Sequence, residues 1–278
     1  MSIIIKIEEI ERAAEVIQDQ INRQPRVGMI LGSGLGNLAE AVENVVVIPY
    51  GDIPCWPVST VEGHQGRLVI GSLEGQEVLV MQGRSHFYEG YSMPQVGFPV
   101  RVMQQLGLEI LIVTNAAGAV NPEFEPGDVM LITDHLNLLG MAGASPLRGP
   151  NLDQFGPRFP DMGLAYDKEL GAFARQAAKD NGFPLQEGVY VCLAGPSFET
   201  PADLRFLKSI GVDAVGMSTV PEVTVARHGG MRALGLSTIS NKANLDGDTI
   251  TSHEEVLAAG KIVLPRLTHI IKGILQRL

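Results

Sequence analysis

The residues of this 278-residue chain best suited to chemistry sit in short glycine-bounded stretches. Gly32-Ser33-Gly34-Leu35-Gly36-Asn37 follows an apolar run, Val27 to Leu31. Glycines let successive backbone N–H groups converge and a serine hydroxyl adds a donor, so this turn can cradle an anion. A plain strand-to-helix turn would use the same residues. It is not a dinucleotide fingerprint, because Asn37 takes the place of the third glycine, nor a P-loop, because no Gly-Lys-Ser/Thr follows. Further on, Gly83-Arg84-Ser85-His86-Phe87-Tyr88-Glu89-Gly90 sets a guanidinium that can fork onto phosphate oxygens two residues from an imidazole that can donate another bond. Taken singly, Arg84 also reads as a surface charge, His86 as a structural histidine and Tyr88 as packing.

Thr114-Asn115-Ala116-Ala117-Gly118 closes a second apolar run, an arrangement that exposes backbone donors at a sheet's carboxyl edge. Pro196-Ser197-Phe198-Glu199-Thr200-Pro201 joins an aromatic that can stack on a flat ring to a carboxylate that can accept its N–H groups. A helix N-terminus carrying a favourable acid would look the same. Met217-Ser218 and Asn241-Lys242 also close strands and read equally well as core or turn residues. His64, His135, His228 and His269 show no ligand spacing and read as structural; Cys55 and Cys192 read as small buried apolar residues. No metal cluster emerges.

These stretches need elements to hold them. Apolar residues at helical spacing (Ile10, Ala14, Ile17, Ile21) predict an amphipathic surface helix that closes near Pro25. Strands are expected at 27–31, 45–48, 110–113, 189–193, 214–216 and 233–240, with a hairpin of 67–72 and 77–81. Helices are expected at 94–106, 166–179, 201–209 and 219–228, and from about Ser252 towards Leu278 with a kink or break at Pro265. Residues 135–163 show no sustained period and read as a long functional connection. Alternating strands and helices mean one α/β domain over 1–278, a sheet with helices on both faces and a ligand site at the strand ends.

A formal charge of −10 argues against a nucleic-acid partner, which needs a basic face, while leaving room for a small anion in one pocket. The Ile3 to Ile5 run is far shorter than a signal-peptide core and leads into acidic residues. Neither export nor membrane insertion is therefore expected, and two cysteines fit a reducing, cytoplasmic setting.

Taken together, Gly-Ser-Gly-Leu-Gly at 32–36, Gly-Arg-x-His-x-Tyr-Glu-Gly at 83–90, Thr-Asn-Ala-Ala-Gly at 114–118, Gly-Pro-x-Phe-Glu-Thr at 195–200, Gly216-Met217-Ser218 and Ser240-Asn241-Lys242 resemble the trimeric purine nucleoside phosphorylases in order and spacing over nearly the whole chain. The resemblance implies a central mixed, twisted sheet flanked by helices. It implies phosphorolysis of 6-oxopurine nucleosides such as inosine and guanosine, in purine salvage, with inorganic phosphate as co-substrate and no cofactor or metal. It assigns phosphate to Ser33, Arg84, His86, Ser218 and the Ala116 backbone N–H. Tyr88 would contact ribose or phosphate, Met217 would pack under the sugar and His253 would reach its 5′-hydroxyl. Phe198 would pack on the base, with Glu199 and Asn241 at its polar edge, and Glu199, Asn241 and His86 as the catalytic groups. Phe159 matches the aromatic that a neighbouring subunit of a homotrimer lends to the pocket. Residues 243–252 match the pattern least. Asn241 itself separates this chain from the related methylthioadenosine phosphorylases, which carry aspartate there.

Overall fold

All five residues of β1 (Val27–Leu31) are buried, and the strand lies parallel between β4 (Gln76–Gln82) and β5 (Ile110–Ala119). A strand covered on both faces is apolar at every position rather than every second one, which is the pattern of this run. Around it, the computed structural model describes residues 4–247 and 252–278. On one side β3 (Arg67–Leu73) forms the expected hairpin with β4, and β2 (Glu43–Pro49) pairs antiparallel beyond it at the edge. On the other side lie β8 (Ala214–Gly216), β7 (Gln186–Cys192), β6 (Val129–Leu136) and β9 (Arg232–Lys242).

The sheet is mixed, as expected, and it also closes on itself. Strand β9 pairs with both β6 and β5, so β5, β8, β7, β6 and β9 make a ring of five strands. Closure removes free edges from that half of the sheet. Strand β6 is absent from the sequence expectation, although its apolar stretch 129–132 carried the signal.

Helices cover both faces. One face packs under α1 (Ile7–Gln18), α2 (Met93–Gln105) and α6 (Val220–His228), the other under α4 (Lys168–Asp180) and α7 (His253–Leu275). In α1 the buried stripe is Ile10, Ala13, Ala14 and Ile17, with Glu9 accepting from the Lys6 backbone at 2.8 Å to cap its start. The short α3 (Leu138–Met141) opens the long connection and α5 (Pro201–Ser209) begins with proline after the Thr200 cap. Residues 142–163 carry neither helix nor strand.

Two expectations need correction. Helix α7 is not divided at Pro265. Proline removes one helical hydrogen bond at a cost of about 3 kcal/mol, but Val263, Leu267, Ile270, Ile271 and Ile274 bury a stripe that spans the position and holds both halves to the sheet. Cys55 is exposed; only Cys192 is buried. Among the described residues no helix is long and apolar enough to cross a membrane.

Candidate active site

The strands point their carboxyl ends at one cavity of about 550 Å³. From β1 come Gly32 and Ser33, from β4 Arg84, His86 and Tyr88, and from β5 Asn115 to Gly118. Past β7 come Phe198 and Glu199, past β8 Met217 and Ser218, from β9 Asn241, and from the start of α7 His253. The structure thus gathers Ser33, Arg84, His86, Tyr88, Ala116, Phe198, Glu199, Met217, Ser218, Asn241 and His253 from across the chain. Phe159 does not line this cavity: it sits in the long connection and is 88% exposed.

Close packing sets the cradle. A Cβ on Gly32 would stand 2.8 Å from the Asn115 Cα, so only glycine lets the turn after β1 lie against β5, where the Gly32 N–H donates to Thr114 Oγ1 at 3.2 Å. Gly34 has φ of +76° and faces Gly260 of α7, where a Cβ would come within 2.9 Å of the Gly34 Cα. That glycine-on-glycine contact seats α7 on the turn and carries its first residue, His253, to the cavity rim.

The Arg84 end is polar and buried. Arg84 and His86 are 2% and 7% exposed. Arg84 Nη1 lies 2.9 Å from Glu222 Oε1, and its Nη2 donates to the Thr114 carbonyl. Among the described residues lining the cavity, Arg84 is the only arginine or lysine. His86 Nδ1 lies 2.9 Å from Glu89 Oε1, which also accepts from the His86 backbone N–H at 2.6 Å. Partial burial pushes the Glu89 carboxyl up, but hydrogen bonds from His86 and Thr60 outweigh it and hold the group down at about 2. An ionised carboxylate only accepts, so Nδ1 carries the proton that His86 gives it. Burial lowers the His86 pKa despite that carboxylate, which favours the neutral ring.

Two residues read as structural or unremarked in the sequence belong to this end. His64 sits with Nε2 3.2 Å from Ser33 Oγ and Nδ1 2.8 Å from the Arg84 carbonyl oxygen, and it stacks on His86. It ties the first cradle loop to the second, with burial and the neighbouring His86 pushing its pKa to about 4. Thr219 is fully buried with φ of +77°, a backbone state that costs a β-branched residue energy and persists only where neighbours hold it. Asn115 Nδ2 donates to its Oγ1 at 2.8 Å. Thr219 has no sequence signal beyond following Ser218 in the chain, and His64 has none, because only the fold brings it to Arg84.

The opposite end is looser. Phe198 is 46% exposed on the segment before α5. Burial raises the pKa of Glu199. Asn241 follows a register shift between β5 and β9 in which Ala117 faces Ile239 but Gly118 faces Asn241. The extra residue, Ser240, donates to the Ala117 carbonyl at 3.2 Å or to Asn241 Oδ1 at 2.7 Å, so a bulge turns the Asn241 amide towards the cavity. Residues 248–251, part of the poorly matched segment 243–252, lie outside the described residues. Among the described residues no cluster of histidine, cysteine or carboxylate could hold a metal ion.

Comparison with known proteins gives a consistent picture. The model of the family described as the phosphorylase superfamily matches residues 26–276. The chain is 57% identical to "Purine nucleoside phosphorylase 1" of Bacillus subtilis, over 97% of this chain and 98% of that one. Among solved structures, Schistosoma mansoni purine nucleoside phosphorylase in complex with inosine superposes with a TM-score of 0.95 at 42% identity, covering 100% of this chain and 99% of that one. Schistosoma mansoni purine nucleoside phosphorylase in complex with adenosine gives 0.94 at 43%, covering 98% of each chain.

Proposed function

This chain belongs to the phosphorylase superfamily, among the purine nucleoside phosphorylases, and from that membership we propose how its cavity divides the work of phosphorolysis. The enzyme cleaves the N-glycosidic bond of 6-oxopurine nucleosides with inorganic phosphate, giving free base and α-ribose 1-phosphate. The observation that carries the division is the buried Arg84 beside His86, Ser33 and Ser218 at one end, with Glu199 and Asn241 at the other.

Phosphate lies on the Ser33 turn, the Arg84 fork, Ser218 and the Ala116 backbone N–H. The His86 ring, its Nδ1 committed to Glu89, meets the phosphate with its other nitrogen and accepts from a protonated phosphate oxygen. Tyr88 and Met217 flank the ribose, and His253 reaches its 5′-hydroxyl from the first turn of α7. Phe198 covers the base. The glycosidic bond breaks while positive charge builds on the sugar and negative charge on the purine. Asn241 donates towards N7 and Glu199 holds the N1–H edge, so the departing anion is stabilised where its charge collects. Phosphate then joins C1′ from the opposite face, and its own charge favours the cationic sugar. Binding both reactants in line supplies several kcal/mol without a covalent enzyme intermediate, a metal or a cofactor.

Base choice follows from donors and acceptors. The Glu199 carboxylate accepts the N1–H of hypoxanthine or guanine, whereas adenine offers only a lone pair there. The schistosome relative has been seen with adenosine as well as inosine, so preference is a matter of turnover rather than of fit alone. The working form is a cytoplasmic homotrimer in which Phe159 closes the pocket of a neighbouring copy, in keeping with its exposure outside its own.

Incubation with inosine, with and without phosphate, tests the reading, with adenosine and methylthioadenosine in parallel. Hypoxanthine should appear only with phosphate, and inosine should be the best of the three substrates. Phosphate-independent release would mean a hydrolase, and a preference for methylthioadenosine would overturn the assignment of Glu199 and Asn241.

A further inference from the structure

We propose that Glu222 is a positioning residue for phosphate, acting by holding the Arg84 guanidinium in the plane in which it meets the anion; this rests on reading the Arg84 end of the cavity as the phosphate site. Glu222 does not line the cavity. It stands behind Arg84 as the third residue of α6, 2% exposed, with Oε1 2.9 Å from Nη1. Arginine has a long side chain and loses considerable rotamer freedom when it is fixed. Here the protein takes up Nη1 through Glu222, with a longer 3.4 Å contact to Thr219 Oγ1, and Nη2 through the Thr114 carbonyl. Acceptors on two sides of a planar group fix its orientation before any ligand arrives.

The surroundings leave Glu222 little other purpose. Its second oxygen, Oε2, and the Arg84 Nε have no hydrogen-bond partner among the described residues. A buried carboxylate left half-satisfied is costly unless it serves the charge beside it. Its place in the first turn of α6 suits an acid, and the strained Thr219 before that turn fixes where the helix starts. Ser218, which precedes Thr219, is itself a phosphate contact in the proposed function. The same short segment therefore supplies one ligand contact directly and aims a second from behind.

A double-mutant cycle reads this. Hypoxanthine release is followed with phosphate and inosine varied separately for wild type, Glu222→Ala, Glu222→Gln, Arg84→Ala and the Arg84→Ala/Glu222→Ala pair, each checked by thermal melting; where turnover is too low, calorimetric binding of inorganic phosphate and of inosine replaces KM. Glu222→Ala should raise the phosphate KM at least about 10-fold and leave the inosine KM within about 2-fold, because residues acting through one contact are not additive with it. Glu222→Gln, which keeps an acceptor at Oε1, should raise it less. In the Arg84→Ala background, removing Glu222 should change phosphate affinity by less than about 2-fold. Should Glu222→Ala fail to fold, Glu222→Gln and its pair with Arg84→Ala complete the same cycle. Independent, multiplying effects, an unchanged phosphate KM, or equal rises in both KM values would overturn the proposal. Wild-type release of base without phosphate would instead overturn the reading of the cavity, so the two failures are distinguishable.

Discussion

The two ends of the cavity are built by different means. At the anion end, Arg84, His86 and Thr219 are buried and hydrogen-bonded to one another's supports through His64, Glu89, Asn115, Thr114 and Glu222. At the base end, Phe198 is nearly half exposed, Glu199 sits on a connecting segment before α5, and the rim is the first turn of α7. The lesson concerns preorganisation. The proposed phosphate site is held by the core, so it is ready before ligand binds, whereas the proposed base site depends on loops and, in the proposed trimer, on a neighbour's Phe159.

Substitutions at the two ends should therefore fail differently. The largest effect is expected at Arg84. Arg84→Ala should lower kcat/KM for phosphate by about 10²–10³, since a preorganised charge-stabilising donor is lost, while inosine binding measured without phosphate stays near wild type. An equal loss of inosine binding would mean that the ends are not separable.

At the other end, Asn241→Asp should cut inosine kcat/KM by about 10², because a donor facing the departing base becomes an acceptor. The adenosine-to-inosine ratio should rise at the same time, and a constant ratio would remove Asn241 from base recognition.

Glu199→Gln should cost about 10-fold to 10²-fold on inosine, the range of one lost charged hydrogen bond. It should also change the pH profile. Burial raises the Glu199 pKa, and the ionised form is the stronger acceptor for N1–H, so activity should fall as pH drops through that raised value. Kinetics of the glutamine variant should lose that acid limb; a limb that persists belongs to another group.

The smallest effect is expected at Phe159, where alanine should raise the nucleoside KM about 3-fold to 10-fold through lost aromatic packing and leave the phosphate KM unchanged. An unchanged nucleoside KM would argue that the base end is complete within one chain.

Much of this was legible before the fold was known, and unevenly. The strand β1 and its glycine turn were readable because a doubly covered strand is continuously apolar and a sharp exit needs glycine. The ligand-facing residues were readable as glycine-bounded polar stretches, and the family resemblance gave them roles. What escaped was the scaffolding. His64, Thr219 and Glu222 act through partners 20 to 138 positions away in the chain, and no local pattern shows such pairings. Closure of the five-strand ring escaped for the same reason, since it depends on β9 pairing with both β5 and β6. The unbroken α7 shows the reverse case, in which a valid local rule about proline yields to the burial of a long apolar stripe.

In the proposed reaction, phosphate bound at the Arg84 end attacks a sugar whose base is leaving from the Asn241 end. Phosphorus NMR of the reaction with inosine and inorganic phosphate addresses it most directly. One equivalent of α-ribose 1-phosphate should accumulate for each hypoxanthine released, with inorganic phosphate falling in step; hypoxanthine released without a sugar phosphate would rule out phosphorolysis.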